Sequence, residues 1–356
     1  MAKDIKTYYE QSYIDNTLRL REVLQTLPSF TKDYFRAVEP TTSAKTRISY
    51  AYDIRVFFHF LIENNPIYHD YTTTQFTLQD LERVEPIDIE EYLEYLKVYK
   101  ADDNQVITNG EKGLARKFSS LRSFYRYFYR HQMIEKNPTI FVDMPKLHDK
   151  AIIRLDIDEV ALLLDYVENC GKELTGQKKV YYEKTKIRDL AILTLLLGTG
   201  IRVSECVGLD INDIDFKNNG IKVTRKGGSE MVIYFGEEVH NALENYLETT
   251  RASATPLPGH ENALFLSTQR KRMGVQAIEN MVKKYARQVT PNKKITPHKL
   301  RSTYGTSLYK ETGDIYLVAD VLGHKDVNTT KKHYAAIDDM RRRQAASAVK
   351  LREERN

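Results

Sequence analysis

Four short segments hold side chains whose types and spacing suit chemistry on a phosphate. In Thr296-Pro297-His298-Lys299-Leu300-Arg301, the proline fits the first turn of a helix, and His298 and Arg301, three apart, then share one face. The arginine offers a two-pronged donor fork, and the histidine can donate a hydrogen bond or move a proton. In Gly198-Thr199-Gly200-Ile201-Arg202, a glycine-punctuated turn after an apolar run delivers Arg202, with Glu205 placed to hold its guanidinium. In Val223-Thr224-Arg225-Lys226-Gly227-Gly228, the glycines allow a tight hairpin that presents Lys226 at its tip, beside Arg225. Finally, Leu322-Gly323-His324 precedes Tyr334, which sits among Lys331, Lys332, Arg341, Arg342 and Arg343. A cationic setting favours a phenolate and attracts phosphate. Taken singly, each segment reads as plainly structural: a helix-start histidine, an Arg202–Glu205 pair, a solvated hairpin lysine, one tyrosine among 24.

The elements that must position these residues fall into two halves. Residues 137–156, with two prolines and few periodic apolar positions, read as a linker, so the domain boundaries are expected at 1–40 (an extension), 41–143, a linker 144–156, 157–340 and a tail helix 341–356. Before the linker the pattern is helical. One helix is expected within 1–27. A second spans 43–63, capped near Thr41, Thr42 or Ser43, with Ile48, Ala51, Phe58 and Ile62 on one face. Others cover 87–100 and 114–134, the last with a Phe118, Leu121, Tyr125, Phe128 stripe. After the linker, helices are expected at 157–169, 185–198, 237–250, 274–288, 298–311 and 314–322. Ile221 to Phe235 alternates around Lys226-Gly227-Gly228 as a β-hairpin. The fold class is therefore mostly α with a small antiparallel sheet, an α+β mixture.

Composition narrows the function. Of 356 residues, 41% are hydrophobic and 29% charged, a globular balance. Apolar runs are too short for the roughly 20 residues that span a bilayer, and the first ten residues lack the apolar core of a secretory signal. Two cysteines exclude a disulfide scaffold and a cysteine zinc cluster, making the cytoplasm the expected compartment. The net charge of +5 is modest, but residues 116–130 carry five basic side chains and no acid. A basic patch of this kind suits a polyanion partner.

Arg202, Lys226, His298, Arg301, Leu322-Gly323-His324 and Tyr334 occur in the order that marks the tyrosine recombinase (phage integrase) family, and the chain resembles its Xer-like members. The ordered set is specific where each motif alone is weak. The step from His324 to Tyr334 is ten residues, where many members have nine; a nine-residue step lands on His333. Tyr304 and Tyr309 are rivals for the nucleophile, but they lie on the His298 helix, where packing roles are expected.

The resemblance implies an N-terminal helical core-binding domain, a C-terminal catalytic domain, and DNA strand cleavage by Tyr334 through a 3′-phosphotyrosine without ATP. It assigns Arg202 and Arg301 to the phosphate oxygens, Lys226 to protonation of the leaving 5′-oxygen, His298 to the tyrosine proton or the phosphate, and His324 to a hydrogen bond on the phosphate. Glu205 would orient Arg202 or a histidine. No cofactor or metal is implied, since His298, His324 and His333 lack supporting Cys or carboxylate spacing. The implied partners are double-stranded DNA with an inverted-repeat core site, a homotetramer on two duplexes, and a possible second recombinase or DNA translocase, with no membrane. Lys45, Arg47, Arg116, Lys117 and Arg122 are the DNA-binding candidates of the first domain. Chromosome dimer resolution leads. An integrase or excisionase of a mobile element, a DNA invertase, a type IB topoisomerase and a non-catalytic DNA-binding protein are the alternatives.

Overall fold

The computed structural model describes residues 7–101, 104–148, 153–225 and 228–324. The chain divides into two compact units, residues 1–150 and 151–356.

In the first unit, caps and apolar spacing set the helices. Thr7 and Glu10 open α1 (Tyr8–Leu24) with reciprocal hydrogen bonds between side chain and backbone. α2 (Thr31–Ala37) follows, and the Ser43 hydroxyl caps α3 (Ala44–Asn64) by accepting from the Thr46 amide. The buried face of α3 carries Ala51, Ile54, Phe57, Phe58 and Leu61, whereas Ile48 and Ile62 are only half-buried. The expected face is thus rotated, because the phenylalanines turn toward an aromatic core. Capping boxes at Thr77 and Glu85 open α4 (Leu78–Arg83) and α5 (Pro86–Tyr95).

The helix expected over 87–100 stops early. Residues Val98–Lys100 form strand β1, antiparallel to β2 (Val106–Thr108), and bury Tyr99 between exposed neighbours with the period of a strand. α6 (Glu111–Arg130) then lays Phe118, Leu121, Phe124, Tyr125 and Phe128 into the core beside Tyr34, Phe57, Phe58 and Tyr92. The rings meet mostly edge to face, the arrangement favoured by the aromatic quadrupole.

In the second unit, α7 (Ile157–Asn169) matches its expected span. α8 (Gly176–Thr199) begins well before residue 185: its first turns are exposed, Val180 and Tyr181 included, so no buried stripe marks the helical period there. Tyr182 is the exception, buried and donating its hydroxyl to the Val167 and Glu168 carbonyls. A short α9 (Val203–Gly208) leads to a three-stranded antiparallel sheet in the order β3 (Ile214–Asp215), β4 (Gly220–Thr224), β5 (Glu230–Tyr234). The two-residue β3 is too short to show as a pattern. α10 (Glu237–Asn245) continues into a π-turn over Tyr246–Arg251. α11 (Val275–Val289), α12 (Pro297–Thr312) and α13 (Ile315–Leu322) follow as the last helices among the described residues. The class is mostly helical with a small antiparallel sheet in the second unit, as the patterning implied; among the described residues the β1–β2 pair adds a second sheet that it did not.

Candidate active site

The site is built at three helix ends. The buried apolar half of α8 terminates at Gly200, whose φ of 62° is left-handed. A side chain there would also collide with the Tyr304 ring, so glycine alone turns the chain tightly at this point. The turn places Arg202 at the N-cap of α9. Glu205, 2% exposed, accepts from the Arg202 amide at 2.8 Å and from its guanidinium at 2.7 Å. This carboxylate therefore fixes both the backbone and the side chain of Arg202. A second Arg202 nitrogen donates to the Gly323 carbonyl at 3.1 Å.

α12 supplies the next group. Thr296 precedes Pro297 in the first turn, as the sequence implied, and Arg301 faces inward with only 4% exposure. Its guanidinium donates to the Gly200 carbonyl at 2.6 Å and to the Leu322 carbonyl. One side chain thus ties the end of α8 to the end of α13. His298 sits one turn earlier on α12 and is exposed. Tyr304 and Tyr309 pack with Val318 and Leu322, in the structural roles expected of them.

α13 ends in a Schellman cap. Gly323 is left-handed at φ 59°, its amide donates to the Asp320 carbonyl, and the His324 amide donates to the Ala319 carbonyl. That cap satisfies Ala319 and Asp320 and leaves the carbonyls of Val321, Leu322 and Gly323 as acceptors at the negative end of the helix dipole. Three arginines take them. Arg202 reaches Gly323, Arg301 reaches Leu322, and Arg225, at the end of β4, donates to Leu322 and Val321 at 2.7 Å each. Burial pulls the Arg225 guanidinium below its ordinary pKa; Arg202 adds to this, while Glu205 and Asp320 oppose it. Of the three, Arg202 and Arg301 are suited to receive a tetrahedral oxyanion, and their carbonyl partners hold them in place without cancelling their charge.

The structure thus brings Arg202, Arg301, Glu205 and the Leu322-Gly323-His324 turn together. Lys226 and Tyr334 lie outside the described residues, as does the expected tail helix. Among the described residues, no group of three His, Cys, Asp or Glu side chains gathers as a metal site would.

The DNA-binding candidates separate. Lys45 is exposed on α3. Arg47 is 3% exposed and paired with Glu39 at 2.8 Å, so it points into the unit. Lys117 is also buried, on Asp53, and Arg116 grips the same carboxylate while remaining half-exposed. Arg122 lies with its guanidinium 5.6 Å from the Phe118 ring centre. Sequence spacing alone does not reveal that Asp53, on α3, lies beneath two basic residues of α6. Nor does it separate Arg225, beside the expected lysine, as an inward-facing residue.

With that geometry in view, the comparisons are consistent. The phage integrase family pattern matches residues 153–341. The tyrosine recombinase XerC of Caldanaerobacter subterraneus subsp. tengcongensis is 33% identical over 328 residues, spanning 90% of this chain and 86% of that protein. XerS of Streptococcus thermophilus is 30% identical over 346 residues, spanning 90% and 95%. In fold, the Tn1549 transposon integrase in complex with a circular intermediate DNA aligns with a TM-score of 0.61 at 20% identity, covering 87% of this chain and 98% of that one. XerH bound to its difH substrate aligns at 0.57 and 16% identity, covering 82% and 76%. The chain belongs to the phage integrase family. Within it, the likeness is to the site-specific Xer tyrosine recombinases, and the activity is DNA strand transfer.

Proposed function

We propose that this protein resolves chromosome dimers by recombining inverted-repeat core sites on double-stranded DNA, as a homotetramer holding two duplexes in the cytoplasm. The observation that carries the chemistry is the convergence of Arg202 and Arg301 on the capped end of α13, with Glu205 bracing Arg202. In the proposed mechanism, the DNA phosphate enters this cluster and its non-bridging oxygens accept from Arg202 and Arg301, where charge grows in the transition state. The Tyr334 oxygen attacks phosphorus and its proton passes to His298 or to solvent. The bond to the 5′-oxygen breaks, and Lys226 protonates that leaving oxygen. His324 donates to the phosphate. The product is a 3′-phosphotyrosine and a free 5′-hydroxyl. A 5′-hydroxyl from the partner strand reverses the same steps, so the phosphodiester energy is conserved without ATP.

On the first unit, Lys45, Arg116 and Arg122 are the phosphate-facing residues in this reading; Arg47 and Lys117 support them from inside. The Xer relatives, at about 30% identity over most of the chain, support this reading, which leaves room for a second recombinase or a DNA translocase as partner.

The test is capture of covalent protein–DNA adducts from cells, followed by sequencing of the attached DNA, with Tyr334→Phe as control. Adducts at one chromosomal site, absent in the control, support dimer resolution. Adducts at the ends of a mobile element would replace it with integration. Adducts that persist in Tyr334→Phe would remove Tyr334 as nucleophile.

A further inference from the structure

Arg225 is the one arginine of the cluster to which the recombination chemistry gives no role. It closes the β4–β5 hairpin: its amide donates to the Ser229 carbonyl at 2.7 Å and its carbonyl accepts from the Gly228 amide at 3.0 Å. Its side chain then leaves the hairpin and runs to α13, donating to the Leu322 and Val321 carbonyls at 2.7 Å each, with a further contact from Nη2 to the Met231 sulfur at 3.1 Å. The guanidinium lies against Gly323 so closely that any side chain at 323 would collide with it. Arg225 is 8% exposed, and its buried Nε finds no acceptor. An apolar side chain would fill this space but would strand the Val321 carbonyl at the end of α13, so part of the role of the guanidinium is structural. What an arginine does here, and an apolar residue would not, is fix two successive carbonyls of one turn in a defined orientation. The Leu322 carbonyl is shared: Arg301 donates to it as well.

We propose that Arg225 is a positioning residue for strand cleavage, clamping the Leu322-Gly323 turn so that the His324 imidazole and the Arg301 guanidinium are held ready for the phosphate. The proposal rests on the recombinase reading above. A clamp of this kind acts on the rate of the chemical step, where a displacement of about 1 Å costs on the order of 100-fold. It does not act on DNA affinity, which many phosphate contacts share.

The experiment is a double-mutant cycle in the full chain, read as single-turnover adduct formation on a nicked recombination-site duplex that traps the covalent complex. The proteins are wild type, Arg225→Met, His324→Ala, and the two changes combined, with DNA affinity measured for each. Arg225→Met should slow adduct formation by about 100-fold at saturating DNA while affinity changes less than about threefold. In the double variant the two losses should fall well short of multiplying, because both act through one imidazole. Arg225→Lys, which can reach one carbonyl but not clamp two, should fall between wild type and Arg225→Met, and covers the case in which the methionine variant does not fold. Losses that multiply fully, or a Lys variant as fast as wild type, overturn the positioning role. An absence of adduct from the wild-type protein overturns the recombinase reading itself, and the inference with it.

Discussion

The two units both bury arginine, and they hold it differently. In the first, Arg47 meets the Glu39 carboxylate at 2.8 Å, and Asp53 accepts from Arg116 at 2.8 Å and Lys117 at 3.2 Å. Glu39 cancels the charge of Arg47, and Asp53 offsets one of the two positive charges it holds. In the second, Arg301 donates to the Gly200 and Leu322 carbonyls, Arg225 to those of Val321 and Leu322, and Arg202 divides its donors between Glu205 and Gly323. A carbonyl orients a guanidinium but leaves its net charge in place for an incoming anion. Burial does not separate the two uses, since Arg47 is 3% exposed and Arg301 4%. Between Arg47 and Arg301 the partner differs, although a carbonyl partner does not mark function by itself: Arg202 keeps the Glu205 carboxylate, and Arg251, 7% exposed and outside the site, donates to the Ala263 and Glu261 carbonyls. Elsewhere in the second unit Arg188, paired with Asp189 at 2.6 Å, follows the structural pattern.

The comparison is sharpest where chemistry is removed outright. Tyr334→Phe should lower covalent adduct formation by about 10⁴-fold or more while leaving DNA binding intact, as read by adduct gels beside a binding titration. Next, Arg301→Ala should cost cleavage on the order of 10²- to 10³-fold, because it removes a donor that stabilises developing charge, with affinity reduced less than about tenfold. If affinity and cleavage fell by the same factor, Arg301 would be an ordinary phosphate contact and the contrast between the units would lose its functional half. Asp53→Ala should do the reverse. Removing a buried carboxylate from beneath Arg116 and Lys117 should lower stability by about 3 kcal/mol in a urea titration, yet leave the cleavage rate at saturating DNA unchanged below the melting temperature. A cleavage loss like that of Arg301→Ala would place Asp53 in the reaction path.

Much of this was legible in the sequence because the site is written as an ordered series of short motifs. The Gly198-Thr199-Gly200 turn predicts a helix end, and α8 ends there; Pro297 predicts a helix start, and α12 begins there, although the structure buries Arg301 and leaves His298 exposed. Helices with apolar stripes, such as α6 and α7, follow their pattern closely. What was not legible depends on contacts between distant segments. Val98–Lys100 extends a helical pattern until a partner strand claims it, and the exposed start of α8 has no buried stripe to mark its period. Arg225 and Lys226 are neighbours of like type in sequence. Only the Val321 and Leu322 carbonyls, nearly a hundred residues away, show that Arg225 turns inward. Likewise nothing near Arg47 or Lys117 announces Glu39 or Asp53 as partner, so spacing places them with Lys45 on the DNA-facing list.

The smallest expected effect compares the units through their buried phenols. Burial pushes the hydroxyl of Tyr34, in the first unit, up to about 12, partly offset by its hydrogen bond with Ser123; burial likewise pushes Tyr182, in the second, up to about 12. An unfolded tyrosine titrates near its ordinary value of about 10. Between those values the unfolded chain has released phenolic protons that the folded chain retains, so stability falls as pH rises. Below about pH 10 both states are protonated, and this contribution is fully present. Either Tyr34→Phe or Tyr182→Phe should therefore flatten the loss of stability between about pH 10 and 12 in urea titrations. At neutral pH the two should differ. Tyr182→Phe strands the Val167 and Glu168 carbonyls and should cost about 1 kcal/mol or more. Tyr34→Phe leaves only a Ser123 hydroxyl, half-buried and free to turn to solvent, and should cost less. An unchanged alkaline slope in both variants would mean that these phenols titrate normally, and that neither core excludes water as tightly as its packing implies.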